Sequence, residues 1–406
     1  MNKQFIFLTN QYLPKPGATG MCVHSVASEL AKRGYSVSTI CYSFDSSYHF
    51  EIIDDVNVYY IPVPFHLRDN NISSKLKNVY KILSRLSKLI YLSRYPLRSG
   101  LLVKRFYNKL LSIINRQLHV TIIASYTPLE AVVAMLKITK VADGVTTVFY
   151  STDTLSNEKG NAGILPVSFR TKMGEHWEIK IMDSVNIAII MECHRNHYLR
   201  EVFKKYHNKM RFANFPLLKD AGLNVIKKSN RSYKKLVYAG TLYKDLRNPS
   251  YLCEVLNQVL PLVSSRALFL GGGDCDNILK SYENKSSGLI KFLGMQPYSI
   301  ALGHIYDSDI LLSIGNSESP MAPSKIYEYM STGKPIIHTY SWEGDPCIEP
   351  LRRYGNCLLL NEHEPINAEL IKSFIDSCVI LSYDQVKSCF NSSTPEFTAD
   401  LLDDLI

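Results

Sequence analysis

Short apolar runs alternate with stretches of helical period along most of the chain. QFIFLTNQY reads as a buried strand, and GATGMCVHSVASELAKRGY as a glycine loop followed by a helix with a C-terminal glycine. SVSTICY and VNVYYIPVP read as further strands. After a basic stretch, VTIIASY, VTTVFYS and NIAIIM read as strands, and PLEAVVAMLKITKVA, GEHWEIKIMDSV and HRNHYLREVFKKY as helices. Strands that alternate with helices in this way imply parallel sheets with crossover helices.

The stretch from Asn214 to Lys235 lacks this period and carries Pro, Gly, Asn and a charge run, so it reads as a domain boundary. The alternation then restarts: KLVYAG, RALFLGGG, GLIKFLG, DILLSIG, PIIHTY and CLLLN are strands, separated by helices such as PSYLCEVLNQVL and YSIALGHIYDS. AELIKSFIDSCVILSYDQVKSCF and TADLLDDLI read as helical. The expected fold is α/β, with two consecutive doubly wound, Rossmann-like domains. Their expected bounds are 1–217 and 218–385, and 386–406 forms a terminal helix with the option of returning to the first domain. Ligands in such sheets lie beyond the carboxyl ends of the strands, beside helix N-termini, so two facing units imply a cleft.

A length of 406 residues fits two domains better than one, and 46% hydrophobic with 20% charged residues is ordinary globular composition. The nine cysteines are scattered and include no CxxC pair, which argues against a disulfide framework or a zinc site and points to a reducing compartment. The N-terminal apolar run is too short for a signal peptide, and no apolar run reaches the ~20 residues of a membrane span. The expected location is therefore cytoplasmic. Charge changes the picture in one place. From Asn70 to Leu129 there are eleven Lys or Arg and no Asp or Glu, so this segment exceeds the chain total of +9 by itself. In SKLKNVYKILSRLSKLIY, Lys77, Lys81, Arg85 and Lys88 share one side of a helical wheel, opposite Val79, Leu83, Leu86 and Ile90. That pattern suits docking on the anionic, inner face of a cell membrane. A helix packed on its own domain with a solvated basic face is the plain alternative. Nucleic acid is disfavoured because no nucleic-acid motif accompanies the charge.

PSKIYEYMSTGKPII raises a question of charge, because Lys325 stands at a helix start, where the dipole prefers an anion. The period puts Ile326 and Met330 on the sheet side and Ser324 and Glu328 outward, with Gly333 as a helix stop. An anion meeting Lys325, and a sugar hydroxyl meeting Glu328, is one reading; a solvated surface helix is the other. In VYAGTLYKDLRNPSYL, Lys244 and Arg247 follow the strand-end Gly240, which suits a diphosphate but is also common in loops. Asp153 follows a strand end and is a candidate base or hydroxyl ligand, or an N-cap. His24 reads as a buried helix histidine, and His338 is ambiguous.

VYAGTLYKDLRNP, FLGGGD, IKFLGMQP, DILLSIGN and PSKIYEYMSTGKPII occur in the order found in family 4 of the glycosyltransferases. The N-terminal LTNQYLPKPGATGMCVHSVASELAKRGYSV is also similar to that family's opening. The resemblance implies the GT-B fold and a nucleotide-sugar donor held mostly by the C-terminal domain. On this resemblance the donor-binding residues are Gly240, Thr241, Gly272, Leu293, Gly294, Met295, Pro323, Ser324 and Glu328. Glu328 matches the ribose-contacting second glutamate of the family's motif, and Phe292–Met295 its base-contacting loop. Arg247, Lys325 and Asp153 carry the chemistry, and Gly17 and Gly20 flank a loop near the acceptor or diphosphate. The chain departs from the family in two places. Pro320 stands where the first glutamate is expected, with Glu318 off the spacing, and Thr241 replaces a customary arginine, for which Lys325 is the candidate substitute.

Asp274–Asp276 spell Asp-Cys-Asp in a turn, so no essential metal or cofactor is expected. The activity implied is hexosyl transfer, with retention, to a lipid-linked saccharide in surface polysaccharide assembly. A nucleotide-sugar epimerase of similar fold and a non-catalytic nucleotide-sugar-binding subunit are the competing readings.

Overall fold

The computed structural model describes residues 3–14, 16–43, 47–64, 67, 86, 94–139, 144–156, 165–220, 231–317 and 323–404. The basic-face residues Lys77, Lys81, Arg85 and Lys88, and also Glu318 and Pro320, lie outside the described residues. The chain divides into two compact units, Met1–Pro216 with Pro395–Ile406, and Leu217–Thr394.

The first unit holds strands β1 (Lys3–Leu8), β2 (Ser36–Ser43), β3 (His49–Ile53), β4 (Val56–Pro62), β5 (His119–Ser125), β6 (Val145–Ser151), β7 (Ile187–Met191) and β8 (Met210–Ala213). They form one sheet in the order β3-β4-β2-β1-β5-β6-β7-β8, parallel except for β3. Phe5, Ile6, Phe7 and Leu8 are all buried, because a parallel sheet is covered on both faces. Phe106 and Leu110 of helix Gly100–Ile113 enter the same core as Ile122, Ala134 and Met135. The terminal helix Pro395–Asp403 belongs to this unit: Lys3 Nζ lies 2.5 Å from Asp403, and Arg33 Nη1 lies 2.7 Å from Asp400.

Two local features differ from the sequence-based expectation. β3 pairs antiparallel with β4 through Asp54 and Asp55, both at positive φ (48° and 61°), the geometry of a two-residue hairpin turn. HRNHYLREVFKKY is not one helix but a short helix, Arg195–Tyr198, followed by 3-10 turns over Glu201–Lys209. Tyr198 and Phe203 are both fully buried. Five residues apart, they would point about 140° from each other on a continuous helix. The break lets both face the core.

The second unit holds β9 (Lys234–Ala239), β10 (Ser265–Leu270), β11 (Ile290–Gly294), β12 (Ile310–Ile314), β13 (Ile336–Tyr340) and β14 (Cys357–Asn361), paired in parallel in the order β11-β10-β9-β12-β13-β14. The order reverses between β9 and β12. At such a reversal the connecting helices leave to opposite faces, which opens a crevice beyond the carboxyl ends of those two strands. Lys334 is a buried lysine: its Nζ donates to the carbonyls of Ile305 (2.8 Å) and Tyr306 (2.5 Å) and so caps helix Tyr298–Asp307. Among the described residues, no helix is long and apolar enough to cross a membrane.

Candidate functional site

In the second unit the candidate residues gather at the carboxyl edge of the sheet. Helix Lys325–Met330 is anchored by Ile326 and Met330, both fully buried, and by Tyr329. The Tyr329 hydroxyl receives the Ala239 N–H at 2.9 Å and donates to the Ala239 carbonyl at 3.2 Å, which ties the helix to the end of β9. Glu328 is thereby left partly exposed. Its Oε2 lies 2.6 Å from Lys325 Nζ, and its Oε1 receives the Tyr298 hydroxyl at 3.0 Å. Burial and the Glu328 charge push the Tyr298 phenol upward, so it stays protonated and donates. The positive charge at this helix start therefore has its partner one turn later on the same helix. Ser324 makes no side-chain cap bond, and Pro323 is buried.

Arg247 lies across the ends of β9 and β12. Its Nε and Nη2 donate to Asn316 Oδ1 at 3.1 and 2.7 Å, and its Nη1 donates to the Thr241 carbonyl at 3.2 Å. Lys244 is exposed, and its backbone N–H donates to Asp274 Oδ1 at 2.8 Å. Of the three consecutive glycines, Gly271 and Gly273 are at positive φ, and a Cβ on either would strike a backbone carbonyl, Gly240 O at 1.9 Å and Leu242 O at 1.8 Å. The path of the main chain therefore accounts for both. Gly272 instead faces Met295, whose Cε would lie 3.3 Å from an added Cβ. Met295 is 69% exposed and Leu293 43%, and they flank Gly294 at φ +68°. The result is an apolar platform open to solvent at the end of β11.

In the first unit, Asp153 follows β6 and starts no helix. Its Oδ1 receives the Thr154 N–H at 2.7 Å and lies 3.5 Å from His194 Nε2. Burial, then neighbouring His197, pushes the His194 imidazole down to about 4, while a backbone hydrogen bond to Thr152 holds the ring. Glu178, fully buried, receives the N–H groups of Leu155 and Ser156 at 2.7 and 3.2 Å and contacts His197 Nε2 at 3.0 Å, so it fixes the turn after Asp153. Thr152 Oγ1 meets Thr19 Oγ1 at 3.0 Å, which joins this strand end to the first turn of helix Ala18–Lys32. Gly17 and Gly20 do not flank a loop as expected: Gly17 is the N-cap of that helix and Gly20 lies in its first turn, where a Cβ on Gly20 would lie 2.3 Å from the Gln11 carbonyl and one on Gly17 2.5 Å from Gln11 Oε1. Close packing on Gln11 by itself calls for the glycine at position 20.

His24 is buried in helix Ala18–Lys32, with Nδ1 3.0 Å from the Tyr12 hydroxyl. Among the described residues, His338, Asp345 and Cys347 form a buried group whose ligand atoms lie within 4.8 Å of one another, close enough to hold a metal ion. His338 Nδ1 is also 3.0 Å from Ser313 Oγ, and Asp345 Oδ1 receives the Cys347 N–H at 2.7 Å. The structure adds Asn316, Tyr298, Tyr329, Glu178 and His194 to the residues picked from sequence. Asn316 ends the quoted DILLSIGN and Tyr298 directly follows IKFLGMQP, so position within the motifs was the available signal.

No family model matches the sequence, and a comparison with curated proteins finds no match. Solved structures do match over nearly the whole chain. Sucrose-phosphate synthase from Thermosynechococcus elongatus is 11% identical, with a TM-score of 0.63 over 99% of this chain and 98% of that one. A UDP-forming α,α-trehalose-phosphate synthase from Burkholderia xenovorans, solved with glucose-6-phosphate, is 10% identical, with a TM-score of 0.58 over 99% of both chains. WaaG, a glycosyltransferase involved in lipopolysaccharide biosynthesis, is 12% identical, with a TM-score of 0.54 over 98% of this chain and 99% of that one. With two parallel doubly wound sheets and this likeness along its full length, the chain has the GT-B fold.

Proposed function

We propose that this protein is a glycosyltransferase that moves a hexosyl group from a nucleotide-sugar donor to a saccharide acceptor. The observation that carries this reading is the group of side chains at the reversal between β9 and β12. Arg247 is fixed there on Asn316 and Thr241, and Glu328 is held by Tyr298 and Lys325. In this reading Arg247 meets the diphosphate, Glu328 accepts hydrogen bonds from the ribose, and Leu293 and Met295 flank the base. The bond between the anomeric carbon and the diphosphate oxygen breaks, and its electron pair leaves with the nucleoside diphosphate. The acceptor oxygen bonds to the anomeric carbon and passes its proton to the Asp153 carboxylate, the candidate base. Arg247 stabilises the charge that develops on the leaving group. The first unit takes the acceptor near Asp153 and the helix start at Gly17–Gly20. We assign no metal or cofactor a part in the transfer.

The likeness to a UDP-forming trehalose-phosphate synthase, solved with glucose-6-phosphate, and to WaaG, a glycosyltransferase involved in lipopolysaccharide biosynthesis, supports a nucleotide-sugar donor and a saccharide acceptor. The uniformly basic stretch from Asn70 to Leu129 supports a lipid-linked acceptor presented at the inner face of the cell membrane, in surface polysaccharide synthesis. Retention is the stereochemical course of this reading, and the anomeric configuration of the product checks it.

A panel of radiolabelled nucleotide sugars, incubated with and without membranes, tests the proposal. Transfer of label to a lipid fraction supports it. Epimerised donor without an acceptor product would indicate an epimerase, and tight binding without turnover a binding subunit.

A further inference from the structure

Arg247 and Lys325 both lie at the carboxyl edge of the second sheet, but their charges are treated differently. Lys325 Nζ is neutralised by Glu328 at 2.6 Å. Arg247 is surrounded by neutral oxygens: it makes two hydrogen bonds to Asn316 Oδ1 and one to the Thr241 carbonyl, and the Tyr238 hydroxyl lies beside it. Among the described residues, no carboxylate lies within ion-pair distance of Arg247. These bonds use three of the five guanidinium donors.

Asn316 is built into this place. It is 1% exposed and lies two residues past the end of β12, after Gly315. Its carbonyl accepts the Trp342 indole N–H at 3.0 Å. The next residue, Ser317, donates its N–H to the Leu246 carbonyl at 2.7 Å, which laces the Asn316 loop to the loop carrying Arg247. A carboxylate at position 316 would have almost the same shape and would grip a guanidinium more strongly. A purely structural clamp would be better served by aspartate. The amide does something that aspartate cannot: it fixes the guanidinium plane and leaves its charge uncompensated for an incoming anion.

We infer that Asn316 is a positioning residue that reserves the charge of Arg247 for the donor's diphosphate. In this scheme Lys325 acts on the donor only through Glu328. The inference rests on the nucleotide-sugar reading above, in which Arg247 meets the diphosphate, and adds to it what keeps that cation available.

The test is calorimetric binding of the diphosphates and monophosphates of uridine, adenosine, guanosine and thymidine to the full-length chain, with thermal melts to verify folding. Wild type should prefer one diphosphate over its monophosphate. Asn316→Asp should melt at or above the wild-type temperature, yet bind that diphosphate at least tenfold more weakly and lose most of the preference. Asn316→Ala, which frees the guanidinium without neutralising it, should lose less. Should Asn316→Asp not fold, a second comparison decides. Arg247→Gln should abolish the diphosphate preference, whereas Lys325→Gln should weaken diphosphate and monophosphate alike and keep their ratio. Wild-type affinity in Asn316→Asp, or a preference that survives Arg247→Gln, overturns the inference while leaving the donor reading intact. If wild type binds no nucleoside diphosphate at millimolar concentration, the donor reading fails, and this inference fails with it.

Discussion

Lys325 Nζ lies 2.6 Å from Glu328 Oε2, one turn along the same helix. The pair answers the unfavourable charge at the helix start and pins a carboxylate that Tyr298 holds from the other side at 3.0 Å. Glu328 is thus oriented before any ligand arrives, which lowers the ordering cost of binding.

Glu328→Ala should weaken nucleotide binding without unfolding the second unit, because Ile326, Tyr329 and Met330 supply the anchorage of the helix. Losing a hydrogen bond to a charged group costs roughly 1.5–3 kcal/mol, so affinity should drop about tenfold or more. Unchanged nucleotide affinity by calorimetry would rule out the ribose role.

His194 should make the first unit sensitive to mild acid. Its folded-state value of about 4 lies below the ordinary 6.5, so between these limits the unfolded chain takes up a proton that the folded chain refuses. Stability is therefore complete above pH 6.5, declines as pH falls towards about 4, and then levels off. The ceiling on the loss is about 3 kcal/mol, for a shift that the Thr152 hydrogen bond and the Glu178 charge already reduce by favouring the imidazolium. His194→Asn keeps a donor near Thr152 but does not titrate, so its denaturation midpoint should depend less on pH over this range. Equal slopes for the two proteins would show that burial does not control His194.

Lys334→Met should destabilise the second unit. The lysine caps helix Tyr298–Asp307 from a position 1% exposed. Its removal leaves the Ile305 and Tyr306 carbonyls without that donor. The cost should be on the order of 3 kcal/mol, read from chemical denaturation followed by a probe in the second unit. A loss below ~1 kcal/mol would mean that water or a neighbour replaces the cap.

Changing Lys77, Lys81, Arg85 and Lys88 together to Gln should release the protein from anionic vesicles. Each basic residue near such a surface contributes about 1 kcal/mol, so four amount to roughly a thousandfold in partitioning. Activity on a soluble acceptor analogue should persist while activity on a lipid-linked one falls. Vesicle sedimentation at low and high salt is the check: wild type that never pellets, or pellets equally at both, contradicts electrostatic docking.

The α/β fold with two doubly wound sheets was legible in the chain itself, because continuous apolar runs and helical periods are local signals. The facing of Ile326 and Met330 towards the sheet, with Glu328 turned away, was legible for the same reason. The hairpin at Asp54–Asp55 was not: it depends on positive φ at two aspartates, and no Asn-Gly or Asp-Gly pair announces it. Nor was the break after Tyr198, which arises because Tyr198 and Phe203 must share one core. The pairings that shape the candidate site are further still from any local rule. Arg247 and Asn316 are 69 residues apart, and Tyr298 and Glu328 are 30 apart. Hydrophobic period says which face of an element is buried but not which strands become neighbours. Only the reversal of strand order between β9 and β12 brings the Arg247 loop against Asn316, and with it decides which of two cations keeps its charge.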